Sequence, residues 1–158
     1  MRGKLNENLV ISYCGVCCNH CGMRTRIPKM AAELKQFIDA YGYAEWIGFI
    51  TQDFDFNSLM KGLNWFANSV CPTCQKGGGM PRCEIRTCCS QKKLQNCYFC
   101  QEFSSCQKLS YQKQTYQVDK HFERIKQIGY ENWLKEQEDK VKKAFDNIEY
   151  LEKREKPS

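Results

Sequence analysis

The chain has 158 residues, of which 12 are Cys, 42% are hydrophobic and 13% aromatic, and its formal net charge is +6. That length fits one domain, or two small ones sharing a core, and the apolar content excludes a disordered charged tail. No run of about 18 apolar residues offers a membrane span, and the opening MRGKLNENLVISYCG lacks the long apolar stretch of an export signal. The expected compartment is therefore the reducing cytoplasm, where regularly spaced cysteines bind metal more often than they form disulfides.

In chain order, LVISY at 9–13 reads as a short strand leading into the first cysteines. Pro28 suits the first turn of a helix; Met30, Leu34, Phe37, Ile38 and Tyr41 follow at helical spacing, and Gly42 is a stop. Residues 43–56 are aromatic with weak periodicity, an irregular or helical core segment. Asn57 or Ser58 can cap a helix carrying Leu59, Leu63 and Phe66 on one face. Pro72, Gly77-Gly78-Gly79 and Pro81 make 71–83 a loop of tight turns. Residues 84–94 suit a short helix, and 95–106 a metal-knuckle turn. The last third has no Cys. It reads as a helix over 116–128 stopped by Gly129, then a helix from about Asn132 with Leu134, Val141, Phe145, Ile148 and Leu151 along one stripe. The end, EKREKPS, is expected to fray.

The cysteines fall in two groups. Cys14, Cys17, Cys18 and Cys21 lie within eight residues, and the other eight lie between Cys71 and Cys106. Burial alone would not cluster them so. The positive charge follows them: residues 1–30 carry +4 and 71–113 carry +5, whereas 31–70 carry −3 and 114–158 balance. Nearby Lys and Arg stabilise thiolates, so these cations serve the ligands first and any polyanion second. A two-residue gap lets two sulfurs reach one tetrahedral ion. Cys71/Cys74 and Cys97/Cys100 have it, two knuckles spaced as in a four-thiolate zinc-knuckle site, which leaves Cys83, Cys88 and Cys106 for a second site with the N-terminal cluster. Which four close on which ion is not readable from spacing. Gly77–Gly79 lacks the Lys and Ser/Thr of a phosphate loop and reads as a turn aiming Cys74 and Cys83.

The blocks YCGVCCNHCG (13–22), CPTCQKGGGMPRCEIRTCC (71–89), NCYFCQEFSSCQKL (96–109) and RIKQIGYENWLKEQE (124–138) resemble, in that order, the cysteine-rich bacterial and archaeal family called domain of unknown function 3795. The resemblance implies a zinc-binding protein without an established activity. It maps ligands onto Cys14, Cys18, Cys21, Cys71, Cys74, Cys83, Cys88, Cys97, Cys100 and Cys106. Cys17 and Cys89 fall where the family has other residues; with His20 they are alternative ligands.

Cys14, Cys18 and Cys21 also spell CxxxCxxC, which resembles the cluster motif of radical S-adenosylmethionine enzymes. Such enzymes need a barrel of repeated strand–helix units of order 200 residues, which this chain does not offer. An iron–sulfur redox or electron-transfer protein is the stronger alternative, because thiolates serve iron clusters equally well. Nucleic-acid binding through Arg86, Lys92 and Lys93 ranks third. His121 reads as a surface residue, and Asp53 and Asp55 as part of a turn. No residue reads as catalytic. The expectation is a mainly α fold with little β, stabilised by two zinc ions. A cysteine-rich part, 1–113, carries a C-terminal helical pair, 114–158, packed on it as one structural unit. Its role is that of an interaction module whose partner is another protein, without a membrane.

Overall fold

The computed structural model describes residues 9–153; the opening residues and most of the EKREKPS end lie outside them. The described residues are mainly helical. The segment 9–13 forms no strand; its β character is confined to an isolated antiparallel bridge between Ile11 and Cys17. The reason is local: Ser12 N–H donates to the Val16 carbonyl (2.9 Å) and Gly15 N–H to the Ser12 carbonyl (3.0 Å), turning the chain at once. Two compact units emerge, Gly22–Cys71 and the remainder of the chain.

The Gly22–Cys71 unit holds α1 (Gly22–Thr25), α2 (Ile27–Ala40), α3 (Tyr43–Ile50) and α4 (Phe56–Asn68). Pro28 sits in the first turn of α2, where its missing N–H costs nothing. Gly42, at φ +64°, turns the chain into α3. The cap of α4 is Asp55 rather than Asn57 or Ser58: its carboxylate accepts from both of their backbone N–H groups. Helices α2 and α4 pack along each other. Pro28 and Ala31 are buried, and Ile38, Met60, Leu63 and Ala67 are half-buried. The stripe expected to face inward, Met30, Leu34, Phe37 and Tyr41, lies exposed instead.

The other unit joins the segment up to Cys21 to α5 (Glu84–Gln91), α6 (Ser110–Tyr116), α7 (Val118–Ile128), α8 (Tyr130–Lys142) and α9 (Ile148–Glu152), with 3-10 turns at Cys18–His20, Cys74–Lys76, Cys97–Phe99 and Gln107–Leu109. Its core is aromatic. Tyr98 and Phe103 from the knuckle segment meet Phe122 of α7 and Trp133 of α8, with Leu109, Val118 and Ile85 filling between them. The expected long terminal helix is broken, because α8 stops at Lys142 and Ala144 takes φ +55°. Ile148 and Leu151 consequently fall outside the core.

Candidate metal centre

The backbone of Tyr13 is the hub of the cysteine-rich unit. Its N–H donates to Sγ of Cys74 at 3.3 Å, and its carbonyl accepts from the Cys97 N–H at 2.8 Å and lies 3.8 Å from Sγ of Cys89. The turn at 12–16 thus holds both knuckles. Gln75 adds a second tie, its side-chain amide donating to the Ile11 carbonyl at 3.0 Å. Backbone N–H groups directed at sulfur stabilise the thiolate form, the form that binds metal.

Cys14, Cys18, Cys74 and Cys83 form one neighbourhood. Burial pushes the Cys14 thiol up, and charge on Cys74 and Cys83 adds to it, against the Ser12 hydroxyl 3.1 Å away. Burial pushes Cys18 up to about 12, with Cys74, Cys17, Cys14 and Cys21 reinforcing the shift. Burial also raises Cys74, where the nearby Arg86 guanidinium opposes the effect of Cys83. Arg86 clamps the glycine loop beside it, donating to the carbonyls of Gly78 and Met80. Thr73, Gly77 and Gly79 all take positive φ there. A tight turn of this kind carries the chain between Cys74 and Cys83.

Cys88, Cys89, Cys97, Cys100 and Cys106 form the second neighbourhood. Sγ of Cys89 and Cys97 are 3.4 Å apart and buried. Burial raises both thiols; Cys88, Cys100 and Cys14 add to the rise at Cys89, and Cys89, Cys14 and Cys106 to that at Cys97. Lys92 Nζ lies 4.0 Å from Sγ of Cys100 and also pairs with Glu102 at 2.5 Å. Cys74 of the first knuckle thus lies near Cys14, Cys18 and Cys83, and Cys97 of the second near Cys89, Cys14 and Cys106. Cys71 closes the Gly22–Cys71 unit, its carbonyl accepting from Arg24 at 2.5 Å.

The alternative ligands are placed differently. Cys17 is buried and raised to about 11, chiefly by that burial. Nε2 of His20 donates to the Gln137 carbonyl at 3.1 Å, and the ring stands edge-on to Phe145. That nitrogen is committed to the C-terminal helices. His121 is no surface residue either: it packs against Trp133 and Tyr150.

Asn96 is the residue that spacing overlooks. Fully buried, it accepts from the Tyr98 N–H at 3.0 Å and donates to the Tyr130 hydroxyl at 2.9 Å, fastening the second knuckle to α8. An Asn immediately before CxxC is a turn-forming signal in its own right.

All twelve cysteines are free thiols. Among the described residues, no three or more His, Cys, Asp or Glu side chains converge closely enough to hold an ion as they stand. The chemistry of the donors nevertheless fits a soft, thiophilic cation. No described helix is long and apolar enough to cross a membrane.

A mainly α, cysteine-rich chain with free thiols defines a class but not an activity. The particular family is clear: the chain belongs to the family described as Protein of unknown function (DUF3795), whose model matches residues 10–111. No curated protein and no solved structure matches the chain.

Proposed function

We propose that this protein is a zinc-binding interaction module whose metal is structural. The observation that carries the reading is the Tyr13 hub, which ties sulfurs from two distant blocks to one turn. Cys14, Cys18, Cys74 and Cys83 would hold one ion. Cys88, Cys97, Cys100 and Cys106 would hold the other, with Lys92 beside them and Cys89 behind. Cys21 is the reserve donor. Bound zinc supplies a cross-link between loops that share few aliphatic side chains. Since no donor group among the described residues is closed as it stands, binding entails side-chain rotation by the thiols, and the Tyr13 and Ser12 contacts pre-position Cys74 and Cys14. Arg86 and Lys92 are engaged by loop carbonyls and by Glu102, which disfavours a role in gripping nucleic acid.

Elemental analysis of anaerobically purified protein tests the reading. Two zinc per chain are expected. Iron with sulfide and a visible absorption band near ~400 nm would replace it with an iron–sulfur protein.

A further inference from the structure

We infer that the Gly22–Cys71 unit is a self-association module: its exposed apolar face docks on the same face of a second copy, forming a four-helix bundle. This deepens the interaction-module reading by naming the partner, and it holds with or without metal.

Each long helix of this unit carries two apolar stripes. One lies between α2 and α4. The other is Met30, Leu34 and Phe37 on α2 with Tyr41 at its C-cap, and Leu59, Leu63 and Phe66 on α4. Both second stripes advance by four and then three residues, the a/d spacing of a helical seam. Apart from half-buried Leu63, their side chains are 42% (Leu59) to 71% (Tyr41) exposed.

The two stripes share one side. Arg24, ahead of α2, donates to the carbonyl of Cys71, beyond α4, so the start of one helix meets the end of the other and the pair is antiparallel. At 3.6 residues per turn the exposed stripe precedes the packed one by about 110° on α2 and about 70° on α4. In an antiparallel pair both offsets turn toward the same side of the layer.

Charge and area favour a second copy over other occupants. Lys61 is the one charged residue of α4, and it lies about 160° from the stripe. The unit holds five basic and five acidic residues, so its net charge gives anionic lipid no hold. The stripes expose on the order of 700 Å², near the ~800 Å² each partner brings to a stable interface. A self-complementary apolar face on two antiparallel helices suits a two-fold axis and the bundle packing of a/d seams.

Sedimentation equilibrium of the full-length, metal-loaded protein across a concentration series is the test, with zinc content measured on the same sample. The expected result is a dimer at twice the 18.6 kDa chain mass. Phe37→Glu should weaken it at least ~100-fold, as loss of a central anchor does, with helicity unchanged by circular dichroism. Leu34→Lys serves if Phe37→Glu misfolds. Met80→Glu, an exposed apolar site in the other unit, should leave the dimer intact. A monomer at high micromolar concentration overturns the inference, as does a dimer indifferent to both face variants. Flotation with anionic vesicles that Phe37→Glu abolishes would assign the face to a membrane and overturn it too. A zinc-free dimer would leave the inference standing and remove the metal reading instead.

Discussion

The hydroxyl of Tyr98 donates to the carbonyl of Gly15 at 2.9 Å, joining the second knuckle to the first cysteine block across 83 positions of sequence. The contact works because Gly15 has no side chain. Its φ is +92°, and a Cβ there would stand 2.6 Å from Cζ of Tyr98.

Gly15→Ala should therefore be severely destabilising. The left-handed backbone alone costs about 1–2 kcal/mol, and the ring cannot retreat without leaving Phe103 and Trp133. A total above ~3 kcal/mol is expected, in the range reserved for overpacked cores. Tyr98→Phe keeps the ring and deletes only the donor, leaving a buried carbonyl short of a partner, so about 1–3 kcal/mol should go. Urea midpoints of the two variants measure both; equal losses would mean that the hydrogen bond, and not the clash, governs the site.

Removing the metal should melt one unit and spare the other. The turns at 12–21, 72–83 and 95–106 are rich in cysteine, whereas α2–α4 contain none. Structural zinc in small thiolate sites contributes an apparent ~10–16 kcal/mol, comparable to the ~5–15 kcal/mol net stability of a whole domain. Chelation should thus cut the helical circular dichroism signal only in part and abolish the near-ultraviolet signal of Trp133. An unchanged spectrum with the metal demonstrably gone would refute the structural role.

Much of this fold was readable in advance where one residue type had one physical meaning. Pro28 marks a helix start because its ring fixes φ, Gly42 and Gly129 mark breaks because glycine takes their positive φ without strain, and the mainly helical class follows from the 3.6-residue periodicity. Periodicity does not say which of two apolar stripes is covered. Met30, Leu34, Phe37 and Tyr41 look like a core stripe and are exposed, while the smaller Ala31 and Pro28 are the buried pair. The core of the cysteine-rich unit is aromatic, with Tyr98, Phe103 and Trp133 filling the space that Leu and Ile leave. The cysteine blocks were plain from spacing. Their meeting at one turn was not, because it runs through the backbone of Tyr13, which no side-chain spacing reveals.

Acid should weaken the fold through His121. Trp133 Nε1–H can only donate, so Nδ1 of His121, 3.1 Å away, is the acceptor. The proton of the neutral ring is then on Nε2, which faces the Tyr150 hydroxyl at 3.5 Å. Burial, with Lys140 and His20 adding to it, lowers the imidazole from 6.5 to about 4. A histidine depressed in the folded state takes up its proton more readily when unfolded. Stability is therefore full above pH 6.5, declines as pH falls from there to 4, and levels below. The whole loss is on the order of 3 kcal/mol. His121→Gln keeps an acceptor for Trp133 and should flatten this part of the pH profile of the urea midpoint; a profile as steep as wild type would assign the slope to other groups.

The two thiol neighbourhoods should lose their metals separately. Cys74 shares its surroundings with Cys14, Cys18 and Cys83, whereas Cys106 and Cys89 border Cys97, with Cys14 reaching toward both groups. Cys74→Ser and Cys106→Ser should each therefore drop zinc from two equivalents to one, and the double variant should hold none. Cys17→Ser and Cys89→Ser should keep both ions: Cys17 is buried against the Lys140 side of the core, and Cys89 sits behind Cys97 with its sulfur facing the Tyr13 carbonyl. Metal content by mass spectrometry on each purified variant decides the matter. Loss of both ions from either single variant would mean one shared binuclear centre, and loss of an ion from Cys89→Ser would move that sulfur into the coordinating set in place of one of its neighbours.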